Sequence, residues 1–227
     1  MIKKADIEKI EKIAKKYFEG ASGCHDWSHI ERVRKLALRI GKSEKADLKI
    51  IEIAVLLHDI GRKFEMENRG YKDGVKLCHA VEGKKEAQKI LESFKNISNE
   101  EKENILHCVE AHRSRNNLVP RTLEAKIVFD ADKLDTMGAI GIGRIFLFAG
   151  SSSANRLYTG QEKQHADEKF DKYAYTDKDT APLEYEIKLK HLKNKIITKA
   201  GKKMAKERDR FMVEFFKTFW AEVEGKR

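Results

Sequence analysis

Only two prolines, Pro120 and Pro182, interrupt a chain of 227 residues. Helix breaks are therefore rare, and the abundant Ala, Glu, Lys, Leu and Ile are residues that lose little rotamer freedom in a helix. Cysteine is scarce as well. Cys24, Cys78 and Cys108 are an odd number with no CxxC pairing, which excludes a disulfide framework and predicts a reducing compartment. No apolar run reaches membrane length: the longest, near Ile50 to Ile60, is short and is interrupted by Glu52 and His58-Asp59. The first residues carry charges at helical spacing instead of an apolar signal core, so the expected location is the cytoplasm. No internal repeat or composition shift marks a second domain. The length suits one domain over 1–227 that can bury its own core without staples.

What the chain has in plenty is charge, with a formal net of +10. The lysines alternate with glutamates through the N-terminal segment, which reads as a solvated, salt-bridged helical surface. The clearest excess lies between Lys188 and Lys206. A positive field of this kind draws in phosphate-bearing substrates. A basic, non-catalytic nucleic-acid module is the competing reading, but it is disfavoured because no recognised motif or stacking platform supports it.

Apolar spacing predicts helices over Ile2–Phe18, from Ile30 past Ile40, and from about Ser43 into His58-Asp59, ending at Gly61. Further helices are expected over His79–Phe94, Asn99–His112, Leu123–Asp135, Leu183–Thr198 and Lys202–Glu224. Asp26 is placed to cap the second helix. The third is apolar nearly all round, so it should be the central buried one. Lys63–Leu77 is irregular, Met137–Ala149 is rich in small residues, and Ser151–Pro182 reads as a lid or surface loop. The aromatic face from Phe211 to Trp220 is read as core or as a homodimer contact.

Four positions stand out as candidates for chemistry: His29, His58, Asp59 and Asp132. Each lies on a predicted helix or at its end, and helices of a bundle can gather distant side chains around an ion. Mixed imidazole and carboxylate donors suit Mn²⁺, Fe²⁺, Ni²⁺, Co²⁺ or Zn²⁺ better than Ca²⁺. Asp130 and Asp132 point about 200° apart on a regular helix, so only one should face such an ion. His79, His107 and His112 form a second group. His107 and His112 are five apart and cannot both bind one ion from a straight helix; His79 with one of them is placed to contact substrate or a second metal. Each cysteine adjoins a histidine, but adjacent residues rarely chelate one ion, so a zinc cluster is not expected.

The ordered set His29, Leu56-Leu57-His58-Asp59-Ile60-Gly61 and Asp130-Ala131-Asp132-Lys133-Leu134-Asp135 resembles the HD superfamily of metal-dependent phosphohydrolases. His25-Asp26-Trp27-Ser28-His29 is similar to one bacterial and archaeal subfamily, as are Gly138–Gly143 and Ala205-x-x-Arg208-x-x-Phe211-Met212. The resemblance implies an all-α HD-domain bundle, with 20–149 carrying the site and the helices of 183–227 packed on it. It implies one divalent ion (Mn²⁺, Ni²⁺, Co²⁺, Fe²⁺, Mg²⁺ or Zn²⁺) on His29, His58, Asp59 and Asp132, the family pattern placing the last ligand after the alanine. It further implies hydrolysis of a phosphate ester or anhydride of a nucleotide, by a phosphatase or a triphosphate pyrophosphatase. Asp59, Arg62 and Lys133 are then the candidate catalytic residues, with Arg62, Lys133, His79 and His112 facing substrate. Asp135 is expected to be a partner of the site or a helix cap. A dinuclear phosphodiesterase or di-iron oxygenase using His79 and His112 is the alternative enzyme.

Overall fold

The computed structural model describes residues 1–21, 23–68, 71–72, 75–113, 118–151, 155–165, 173, 176 and 178–227. The architecture is all-α, as expected. The strands among the described residues are the two-residue β1 (Tyr71–Lys72) and β2 (Val75–Lys76), paired antiparallel. The chain divides into two compact units, Met1–Asp132 and Lys133–Arg227.

The first unit is organised around α3 (Leu48–Leu57), which packs against α1 (Lys4–Lys15), α2 (Trp27–Glu44) and α6 (Asn99–Ala111). Ile51, Ile53, Ala54, Val55, Leu56 and Leu57 of α3 are fully buried, so this is the central helix that the apolar pattern predicts. Fully burying such a side chain is worth about 1.5–3 kcal/mol, which makes α3 the anchor for His58 and Asp59 at its end. The helix does not begin at Ser43, however. Lys45 takes a left-handed backbone (φ 59°) that closes α2. Asp47 then caps α3 by accepting from the amides of Lys49 and Ile50. Asp26 caps α2 as expected, accepting from Ser28 and His29, and so fixes the first turn on which His29 lies. The short α4 (Arg62–Glu67) occupies part of the irregular stretch and packs on α5 (His79–Glu92), which in turn packs on α6.

The helix α7 (Leu123–Asp135) crosses the boundary between the units. In the second unit α8 (Gly138–Ser151) packs on α9 (Ala181–Ile187) and on α10 (Lys199–Val223). The glycine-rich segment is thus a helix. The single helix expected over 183–198 is instead α9 followed by a 3₁₀ segment, Leu189–Lys195. Lys188 leaves helical geometry (φ −132°, ψ −60°), and the chain rewinds more tightly beyond it. Of the lid expected over 151–182, residues 152–154, 166–172, 174–175 and 177 lie outside the described residues.

Gly138 turns the chain between α7 and α8 at φ 72°, and a Cβ there would meet the Arg208 side chain at 3.1 Å. Arg208 donates to the Leu134 carbonyl, so the late arginine of the sequence pattern ties down this turn. Asp135 pairs with Arg144 at 2.6 Å, both buried, which makes it a partner of α8. Gly138→Ala is expected to destabilise the protein by about 1–2 kcal/mol, through left-handed strain and the crowded arginine, as read by denaturant unfolding.

Candidate metal centre

His58 and Asp59 come directly after α3, so its packing fixes both; neither side chain is more than 1% exposed. His29 comes from the start of α2, His79 from the start of α5, His112 from the end of α6, and Asp132 from α7. Their donor atoms form two clusters of three, His29–His58–Asp132 and Asp59–His79–His112, and within each all atoms lie within 4.8 Å of one another.

Asp59 joins the two. Its Oδ2 is 3.5 Å from His29 Nε2 and 3.8 Å from His58 Nε2, while Oδ1 is 3.5 Å from both His79 Nε2 and His112 Nε2. Asp132 Oδ1 is 3.5 Å from His29 Nε2. Asp130 is fully buried but belongs to neither cluster, so only one of the two aspartates faces the centre, as the helical period requires. His107 is also outside: its Nε2 accepts from the Arg121 amide at 2.9 Å.

Hydrogen bonds on the far side of the rings decide what the near side offers. His58 Nδ1 donates to the Val55 carbonyl at 2.7 Å and His112 Nδ1 to the Val109 carbonyl at 2.6 Å. A carbonyl can only accept, so Nδ1 of each ring carries a proton and Nε2 is the nitrogen turned inward. His79 Nδ1 faces Glu65 Oε2 at 2.9 Å, which orients it likewise. Burial pushes His58 down to about 4 and His79 down to about 3, so both are neutral near pH 7. Burial works against the charged form of Asp59. The Arg62 cation nonetheless holds this carboxyl well below the usual carboxylate range, with Arg62 Nε 2.5 Å from Oδ2.

The ring nitrogens of the two clusters converge. His79 Nε2 and His112 Nε2 face each other at 3.3 Å, and His58 Nε2 and His29 Nε2 at 3.4 Å. Asp59 Oδ1 is buried with no hydrogen-bond partner. A buried carboxylate oxygen without a partner is costly, and a cation beside these converging nitrogens would satisfy it. Donors about 2.1 Å from one ion are themselves roughly 3.0–3.4 Å apart, close to the spacings here. The residues fit a divalent ion in the first cluster and offer the same chemistry in the second.

Residues 26–137 match the family model of the HD domain. Bacillus subtilis YpgQ is 32% identical over 210 residues, covering 90% of this chain and 87% of that one. The chain belongs to the HD family. The solved structure of an HD-superfamily hydrolase from Bacillus thuringiensis is similar along nearly the whole length: 30% identity, a TM-score of 0.72, and 98% and 99% of the two chains covered. B. subtilis YpgQ in complex with ADP covers 96% of this HD protein and 95% of its own chain, at 27% identity and a TM-score of 0.67. The shared fold is that of HD-superfamily hydrolases, and the His and Asp clusters have the donor types and spacing that could hold a metal ion.

The remaining expectations divide. Arg62 is at the site through Asp59, whereas Lys133 is buried and opens the second unit. No cysteine joins a cluster of metal-ligating side chains among the described residues. Glu65 and Arg113 were not legible in the sequence. Glu65 orients His79, and Arg113 Nη1 approaches Glu65 Oε1 at 3.9 Å. The available signal was a carboxylate six residues after Asp59, lost among 37 acidic residues.

Proposed function

We propose that this HD protein is a divalent-metal-dependent phosphohydrolase acting on a nucleotide phosphate ester or anhydride. The observation that carries the reading is the convergence of unprotonated imidazoles and carboxylates beside a guanidinium. His29, His58, Asp59 and Asp132 would hold the ion. When bound, it supplies Lewis acidity towards a phosphoryl oxygen and an acidified water. Arg62, held through Nε by Asp59, keeps its terminal N–H groups for a phosphate oxygen, where they offset the charge that grows during phosphoryl transfer. The Nδ1 bonds of His58, His79 and His112 lock the rings, so the site is ordered before substrate arrives. The nucleotide preference is supported by the ADP complex of the similar YpgQ.

The test is a panel of nucleoside mono-, di- and triphosphates and simple phosphate esters with Mn²⁺, Mg²⁺, Ni²⁺ or Co²⁺, the products identified by ³¹P NMR. Divalent-dependent release of phosphate or pyrophosphate is expected, and chelation should abolish it. His58→Ala should do the same with helicity retained by circular dichroism. Undiminished turnover by chelated His58→Ala would remove the assignment.

The second cluster favours one further reading, a dinuclear centre of the kind used by phosphodiesterases or di-iron oxygenases. Elemental analysis of metal-loaded protein then gives about two ions per chain, falling to about one in His112→Ala. A wild-type value of about one ion rejects the dinuclear reading and leaves His79 and His112 as substrate contacts.

A further inference from the structure

We propose that a cationic cleft in the second unit binds a single-stranded polynucleotide. Residues 188–210 hold ten lysines and arginines against two acidic side chains, so a tenth of the chain carries eight of its ten net positive charges. The fold concentrates them. Leu189, Leu192 and Ile196 turn inward from the 3₁₀ segment, and Ala205, Asp209 and Met212 are the buried face of α10, which packs against it. The charged faces are left outward on both walls of one cleft of about 790 Å³. Lys193 and Asn194 line one side, and Lys202, Lys203, Lys206 and Arg210 line the other, with Glu207 and Asp209.

Lys193 ties the walls together by pairing with Asp209 at 2.7 Å. Lys202, Lys203, Lys206 and Arg210 are exposed and form no ion pair among the described residues. Four such cations in a concave wall suit a phosphate chain lying in it better than a flat anionic surface. An exposed aromatic that follows the lining along α10 selects the kind of chain. Phe211 is 51% exposed, follows Arg210 directly and continues the i, i+4 row of Lys203 and Glu207 beyond the lining of the cleft. A base stacks on such a ring while its phosphates meet the lysines. Inorganic polyphosphate would use the lysines alone. The absence of a recognised stacking platform weighs against nucleic acid in the sequence; the fold leaves Phe211 exposed at the end of the charged stretch.

The experiment is fluorescence anisotropy of the full chain with labelled 15-nucleotide oligo-dT and oligo-U, titrated over a range of salt. Four cation–phosphate contacts give a log–log salt slope of about −3. The triple substitution Lys202→Ala, Lys203→Ala and Lys206→Ala should bring that slope to about −1, with at least a tenfold loss of affinity at low salt. Removing the same charge elsewhere, by Lys9→Ala, Lys12→Ala and Lys35→Ala, should leave both unchanged. Phe211→Ala should weaken binding about fivefold or more with the slope retained. The tighter of the two oligomers identifies DNA or RNA as the source. Absent binding, equal losses in both triple variants, or an inert Phe211→Ala combined with displacement by polyphosphate would each overturn the proposal. None of the substituted residues belongs to the metal clusters, so nucleotide hydrolysis should survive every one of them.

Discussion

Asp59→Asn is expected to strip the centre of divalent metal and to lower nucleotide hydrolysis about a thousandfold or more, since losing several kcal/mol of Lewis-acid stabilisation has that consequence. The residue matters because it is shared. One carboxylate oxygen faces His29 and His58 while the other faces His79 and His112. Asparagine keeps the shape but replaces one of those oxygens with an NH₂ donor. Arg62 Nε decides which one, because it demands an acceptor at the Oδ2 position. The NH₂ group must then point at the Nε2 atoms of His79 and His112, so a donor stands where the proposed centre needs an acceptor. The first cluster keeps an oxygen, but a neutral amide binds a hard divalent ion more weakly than a carboxylate. Elemental analysis and turnover on the best nucleotide check both parts. Helicity should be unchanged, because no volume is lost in the core. Full metal content and near-native turnover in the Asp59→Asn variant would contradict the assignment of Asp59 to the centre.

How much of this centre could be read from the sequence depends on the kind of information each residue carries. His29, His58-Asp59 and Asp132 have distinctive neighbours; the helical period says that only one of Asp130 and Asp132 can face an ion, and the family pattern selects Asp132. The second histidine group was only half legible. A spacing of five excludes His107 and His112 from acting together, but it cannot say which faces inward. The structure answers through backbone geometry: His112 comes just after the last residue of α6, where its Nδ1 reaches the carbonyl three residues back. The helices themselves arise from apolar period and caps, as at Asp26 and Ser98, which accepts from the Glu101 amide to open α6. Two boundaries did not. The left-handed Lys45 and the tightened segment after Lys188 are local backbone choices, made by lysines that differ in no way from their neighbours. Least legible of all is close approach between segments far apart in sequence, and that is where the largest structural effect is expected.

Gly61→Ala should cost the protein about 3 kcal/mol or more and lower its melting temperature by roughly 10 °C, near the upper end for overpacking a tight core. As a sequence feature Gly61 reads only as the stop after the His58-Asp59 helix. In the fold it lies against the first turns of α5. A Cβ at this position would be 2.0 Å from the His79 carbonyl oxygen, 2.5 Å from the Gly83 amide nitrogen and 2.9 Å from the Gly83 Cα. These are backbone atoms, which cannot rotate away as a flexible side chain does, so α5 must withdraw by roughly an ångström, the shift needed to restore an ordinary contact. His79 is on that helix and would leave Asp59 and His112 with it. The variant should therefore lose metal affinity as well as stability. Gly83 makes the control. A Cβ there meets its nearest neighbours, Gly61 N, His58 O and Val109 Cγ1, at 3.4–3.6 Å, which is ordinary contact. Inside a helix, alanine is favoured over glycine by about 0.5–1 kcal/mol, so Gly83→Ala should be neutral or stabilising. Thermal denaturation of the two single variants separates close backbone approach from glycine chemistry in general. If Gly61→Ala melted together with Gly83→Ala, α5 would not be pressed against the end of α3 in this way, and the second histidine cluster would lose its mechanical support.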